Sequence, residues 1–259
     1  MPADVVILGC GPSGLAAATA VVNLDRTVLI VSNADRPSKL YGCQYLHAPI
    51  PGYETVRHTR VGYYLQGTAE QYRLKVYGEN WKGKVSPEDF VGEHDAWDIR
   101  ATYGYMWSYL HGLPSSKVNF VIVPSIVAGR LPREVYEARS ETIISTIPAP
   151  ALCHQKGHTF NYHTIYAAGT SKPGAEAQDT IVCDGTSEHT WYRNACVFGY
   201  RTTEWSKQPT GGERVAAVAK PLTTDCTCNP DIYRIGRYGK WLKSYLVHQA
   251  YPDVVKILE

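Results

Sequence analysis

The stretch VVILGCGPSGLAAATAV, residues 5–21, constrains the fold more than any other part of the chain. Val5 to Leu8 is apolar and mostly β-branched, as in a strand buried on both faces of a parallel sheet. Gly9, Gly11 and Gly14 follow at GxGxxG spacing, and Leu15 to Val22 suits a helix. Strand, glycine turn and helix in that order make a dinucleotide-binding unit. Gly9 permits the tight turn, Gly11 lets the backbone approach a pyrophosphate, and Gly14 lets helix and strand pack closely. The helix that starts at Pro12 then offers unpaired N–H groups, from Ser13 onward, and a partial positive charge to phosphates. Thr27 to Val31 supplies the second strand. Ser32 stands where such units usually place an acidic ribose-binding residue, and Asp35 lies three residues beyond.

A chain of 259 residues with 44% hydrophobic and 19% charged residues can bury a large core. Its formal charge of +2 makes no general case for nucleic acid or a membrane surface. No apolar run is long enough to cross a bilayer, and the first strand begins at once, so a cytoplasmic protein without a signal peptide is expected. Seven scattered cysteines fit reduced thiols better than a disulfide framework. Cys226-x-Cys228 is the one close pair, with no second pair or histidines at zinc spacing; it reads as structural, and no metal is expected. Tyrosine (19) far exceeds phenylalanine (4), and six tryptophans are present, as suits a partly wet cleft.

After the βαβ unit the alternation of strand and helix stops. Residues 32–54 read as loop, and 61–81 as a strand-rich or hairpin–helix mixture. Residues 94–110 have helical spacing, with Trp97, Ala101, Tyr105 and Tyr109 on one side. Strands are predicted within 118–131, at 141–152, within 163–170 and 179–186, and as one more at 191–205. A short strand, a glycine turn from Gly236 to Gly239 and an amphipathic helix close the chain. The expected fold is α/β: a Rossmann-like cofactor domain from residues 1–50, 116–152 and 206–259. A small, largely antiparallel substrate region from 51–115 and 153–205 is inserted in it.

Two features favour FAD over a diffusible nicotinamide. Ala18 extends the glycine pattern to the longer spacing of flavoproteins, and the Gly236-Arg237-Tyr238-Gly239 turn can hold a second part of a long cofactor. The segments ILGCGPSGLAAA, ETIISTIP, WYR (Trp191–Arg193) and IYRIGRYGKW together resemble the UDP-galactopyranose mutase branch of the amine-oxidase-like flavoproteins. Compact flavoproteins of bacterial viruses look similar. The resemblance implies that STIP ends a strand of the FAD domain and that the GR turn contacts the flavin side. It also implies that Arg193 contacts a substrate diphosphate, with Arg201 a weaker second, and that His248 approaches the flavin ribityl or pyrimidine edge. Known mutases are considerably longer, so their substrate domain would be minimal here.

Three functions follow. The first is an FAD-dependent oxidoreductase acting on a small molecule or modified nucleotide, with hydride moving to or from flavin N5. The second is a redox-neutral mutase working with reduced FAD, and the third a non-catalytic flavin-binding protein. With one GxGxxG, electrons come from substrate, free nicotinamide or a separate reductase. The FAD is expected to be non-covalent, because no Cys or His sits in an attachment motif. His47 is a candidate proton shuttle at near-neutral pKa. Tyr238 and Trp241 are candidates for stacking near the ring, Tyr238 within the catalytic set. Arg73, Lys75, Lys82 and Lys84, interleaved with Tyr72, Tyr77 and Trp81, are a weaker candidate for single-stranded nucleic acid; an alternating strand with a solvated basic face is favoured.

Overall fold

The structure is a computed structural model and describes residues 2–81, 83, 85–124, 130–170, 179–210 and 214–259. In chain order the first half holds β1 (Val5–Leu8), α1 (Pro12–Asn23), β2 (Val28–Ser32), β3 (His58–Gln66), α2 (Ala69–Tyr77), β4 (Gly92–Trp97), α3 (Ile99–Gly112), β5 (Val118–Ile122) and α4 (Arg133–Glu137). The second half holds β6 (Thr142–Ser145), α5 (Ala149–Leu152), β7 (Phe160–Thr170), β8 (Thr180–Asp184), β9 (Arg193–Val197), β10 (Tyr200–Trp205), β11 (Ala216–Thr224), β12 (Ile232–Arg234), α6 (Gly236–Lys240) and α7 (Ala250–Leu258).

Two sheets organise these elements. The first is parallel throughout, in the order β12-β6-β1-β2-β5. Helices cover both its faces, so its strands are apolar on both. Val5, Ile7 and Ile30 pack under α1, α3 and α7, while Val6, Leu8, Leu29 and Val31 pack with Val135 and Leu152 on the other face. Alanines at 16, 17, 18 and 20 are fully buried, and their small size lets α1 lie between the sheet and two neighbouring helices. The second sheet has the order β11-β7-β10-β9-β8-β3-β4 and is antiparallel except where β3 pairs with β8. Its core of Val61, Tyr72, Phe90, Ile165, Ile181 and Tyr192 lies partly beneath α2.

The α/β fold class therefore holds, while the expected division of the chain shifts in two places. β11 belongs to the second sheet, because its backbone pairs with β7 from Ala216 to Thr224. α3 belongs to the first, because Ile99, Tyr103, Met106 and Leu110 pack into its core. Tyr105 and Tyr109 lie on the solvent side of that helix, while Trp97 belongs to β4, because the helix begins only at Ile99. Residues 191–205 form two strands, not one. Phe198 and Gly199 both adopt positive φ (55° and 80°) and turn β9 back into β10. Residues 69–77 form a helix with a Thr68–Gln71 capping box in place of an alternating strand. Its basic residues are engaged: Arg73 pairs with Glu70, and Lys75 with buried Asp184. Lys82 and Lys84 lie outside the described residues, as do 125–129 of the predicted 118–131 strand segment. No helix among the described residues is long and apolar enough to cross a membrane.

Candidate functional site

A cavity of about 720 Å³ opens between the two sheets, a volume suited to a cofactor with a small ligand. The glycine turn forms one end. Gly9 has φ of +100°, and a Cβ there would lie 2.7 Å from Thr146 Oγ1. At Gly14 a Cβ would lie 2.0 Å from Gly9 O, so this glycine sets the helix–strand approach. Gly11 differs from both: its backbone is extended (φ −67°, ψ 177°), and a Cβ would meet nothing within 4 Å. It borders the cavity together with Pro12 and Ser13. Ser32 reaches the same wall from the end of β2, its hydroxyl within 2.9 Å of Cys10 Sγ and accepting from Ala34 N. Asp35 is exposed and does not line the cavity.

The C-terminal turn docks on the N-terminal one. Gly236 has φ of +74°, and a Cβ there would lie 2.9 Å from Ser13 Cβ; a Cβ on Gly239 would lie 2.5 Å from Ser145 O. These two glycines hold α6 against the strand ends and do not line the cavity, whereas Arg237 and Tyr238 do. The Tyr238 hydroxyl donates to Ala219 O at 2.9 Å, which makes this side chain a wall with its proton engaged. Trp241 lies elsewhere than expected. It is buried, donates from Nε1 to Asn161 O at 2.9 Å, and meets Phe160 and Tyr162 edge-on, as a packing residue. His248 lines the cavity from a 3-10 turn (Val247–Gln249) ahead of α7.

His47 also faces the cavity, with its ring 4.5 Å from Tyr45 and 6.5 Å from His248. Loss of hydration in the cleft, with His248, His94, Arg237 and Arg193 nearby, pushes its pKa down to about 4. His47 is therefore neutral at pH 7, which corrects the near-neutral value expected of it.

The second sheet supplies the opposite wall through alternating residues of one face: His163 and Ile165 on β7, Val218 and Lys220 on β11, Arg193 on β9 and Glu204 on β10. Arg193 and Glu204 are direct cross-strand partners, and their side chains form an ion pair at 3.6 Å. Glu204 also accepts from Tyr192 Oη (2.6 Å), Cys43 N (2.9 Å) and Lys220 Nζ (3.1 Å). Burial alone would raise the Glu204 carboxyl, but Lys220 and Arg193 more than reverse this and hold it at about 2. One carboxylate cannot satisfy two cations. Burial and the Arg193 charge push Lys220 below its ordinary value despite Glu204. Nε of Arg193, Nε2 of His163 and Nδ1 of His248 are buried without a protein partner. Arg237 and Lys243 add positive charge, and Lys243 sits over the Tyr77 and Trp81 rings. The site is thus a cationic pocket. Glu204, Lys220 and His163 carry no motif; their only signal is an ionisable residue placed inward on a strand. Arg201, by contrast, is exposed on β10 and does not line the cavity.

No family model and no curated protein match the sequence. Solved structures do share its fold. Reduced UDP-galactopyranose mutase aligns with a TM-score of 0.58 at 12% identity, over 100% of this chain and 94% of that one. PqsL of P. aeruginosa in complex with 2-aminobenzoylacetate aligns with a TM-score of 0.60 at 11% identity, over 100% and 87%. The chain has a Rossmann-like α/β fold that these enzymes share. The flavin-dependent brominase Bmp2 (TM-score 0.58, 10% identity, 100% and 78% coverage) is similar to the same extent, so the mutase branch is not singled out.

Proposed function

We propose that the chain binds one FAD non-covalently and acts as an FAD-dependent oxidoreductase on an anionic small molecule or nucleotide-linked substrate. The observation that carries this reading is the shape and charge of a single cavity. It joins the glycine turn, with open space at Gly11, to a wall where Arg193 and Lys220 share the carboxylate Glu204 and Arg237 adds further positive charge. The lining fits a dinucleotide: extended glycine backbone beside a helix start at one end, and the cations Arg193, Lys220 and Arg237 deeper in. FAD in this place supplies a hydride acceptor or donor at flavin N5.

The chain's own residues bind and orient. Arg193 lines the cavity with a guanidinium that can hold substrate oxygens, and Glu204 fixes that guanidinium from the other side. Neutral His47 and His248 accept or donate one hydrogen bond each without adding charge. Tyr45, Tyr63 and Tyr238 wall the cleft and reduce its water content. Electrons enter from substrate, free nicotinamide or a separate reductase.

The decisive experiment is the visible spectrum of the purified chain, followed by anaerobic addition of NADH, NADPH and dithionite. A flavin spectrum with about one FAD released per chain on denaturation is expected. A preparation that stays colourless with excess FAD overturns the reading. Hydrogen peroxide formed with substrate in air supports the oxidoreductase. Activity only with prereduced flavin and a nucleotide sugar supports instead the mutase reading that the placement of Arg193 in the cavity keeps open. Flavin without turnover of any donor indicates the non-catalytic binder.

Arg193→Ala should retain stoichiometric FAD and lower kcat/KM about 100-fold, the loss of one charge-assisted contact of roughly 2–3 kcal/mol. Flavin titration and steady-state kinetics on the same preparation check this, and loss of flavin would move Arg193 to the cofactor's own shell.

A further inference from the structure

The chain crosses between the two sheets twice near α6. One crossing leaves α5 for β7 and carries Cys153 and His158; the other leaves β11 for β12 and carries Cys226 and Cys228. Spacing in the sequence connects only the last two, but the fold brings all four together. Each presents one ligand atom, and these atoms lie within 4.8 Å of one another. Cys153 Sγ is 3.8 Å from Cys228 Sγ, and His158 Nδ1 is 3.4 and 3.5 Å from those two sulfurs. A tetrahedral zinc ion with Zn–S of about 2.3 Å and Zn–N of about 2.0 Å has S···S edges of roughly 3.8 Å and S···N edges of roughly 3.5 Å. A disulfide needs sulfurs about 2.05 Å apart and would leave the third thiol and the imidazole unexplained.

The surroundings suit a closed, anionic metal centre. Zinc with three thiolates and one imidazole carries one surplus negative charge, and the Arg234 guanidinium stands 3.6 Å from Cys226 Sγ. The same guanidinium donates to Cys226 O (3.0 Å) and Cys228 O (2.5 Å), which fixes the Cys-x-Cys backbone. Asn229, in the left-handed region at φ +55°, donates to Leu152 O at 2.7 Å and ties one crossing to the other. Cys226 and Cys228 are buried, 8% and 4% exposed, while Cys153 and His158 are half-buried and form the outer side of the cluster.

We propose that Cys153, His158, Cys226 and Cys228 bind one zinc ion in a structural Cys3His site. The ion pins the two inter-sheet crossings and, through β12, the start of α6 beside the cavity. Four protein ligands leave no open position, so the role is positional.

Elemental analysis of the desalted full chain, purified from zinc-supplemented medium, should give about one zinc per chain. Cys153→Ser and Cys228→Ser should fall below one-tenth, while Cys196→Ser, remote from the cluster, retains the metal. Should the serine variants fail to fold, zinc titration of the wild-type chain after chelator treatment, against a chromogenic competitor, decides alone. Stoichiometric uptake supports the site. Overturning results are absence of zinc and of zinc uptake in the wild-type chain, full zinc in the Cys153→Ser/Cys228→Ser double variant, or alkylation in denaturant and chelator, without reductant, that labels two fewer than the seven cysteines.

Discussion

Gly11→Val will purify colourless, folded, and unable to take up FAD at concentrations that saturate the parent chain. Folding is spared because the Gly11 backbone is extended and compatible with any side chain, and because the space a Cβ would enter holds no protein atom within 4 Å. That same space is where a pyrophosphate must approach the turn, so the added carbons replace the ligand and displace no packing. An affinity loss of at least about 100-fold, or roughly 2.7 kcal/mol, is expected. Excess FAD should raise the Tm of the parent chain and leave that of Gly11→Val unmoved, because only a ligand bound to the folded state shifts unfolding. Near-identical circular dichroism of the two apo chains separates loss of binding from loss of fold. Stoichiometric FAD in Gly11→Val would place the cofactor elsewhere. Gly14→Ala makes a poor substitute, since its Cβ would lie 2.0 Å from Gly9 O and disrupt the unit itself.

What the sequence discloses is mostly local. β1, the glycine turn and α1 are contiguous, and each residue type there has one physical reason for its place. The C-terminal turn is legible on similar grounds, although its glycines serve contact with Ser13 and Ser145 and the aromatic Trp241 serves packing. The opposite wall depends on register among strands far apart in the chain. Arg193 faces Glu204 only because the Phe198–Gly199 turn pairs β9 with β10, and Lys220 joins them only through β7 and β11. A continuous strand from 191 to 205 cannot bring Arg193 and Glu204 side by side. The cysteine cluster has the same character: Cys153 and Cys228 are 75 positions apart, beyond any spacing rule. Small residues mark such sites indirectly. Gly42, at φ +78°, would put a Cβ 2.4 Å from Glu204 Oε1, so glycine here makes room for the buried carboxylate.

Removing that carboxylate should have the largest effect on stability. Glu204→Gln keeps the shape and a hydrogen-bonding group for Tyr192, but leaves the half-buried Arg193 and Lys220 side by side without the carboxylate between them. Breaking a buried ion pair from one side costs several kcal/mol because the remaining charge stays desolvated. The pKa gives a second route to the size. A carboxyl moved from 4.5 in the unfolded chain to about 2 in the folded one contributes about 3 kcal/mol to stability at pH 7. Its sign follows from the folded state binding the proton more weakly. The contribution is complete above pH 4.5 and is lost as pH falls toward 2. Urea unfolding should therefore show Glu204→Gln less stable by about 3 kcal/mol at pH 7, with the gap narrowing as pH is lowered below 4.5. Lys220→Met added to Glu204→Gln should restore part of the loss by removing one of the two stranded cations, and pyrophosphate should stabilise the single variant more than the parent. A pH-independent difference below about 1 kcal/mol would mean that Glu204 does not hold the cationic wall.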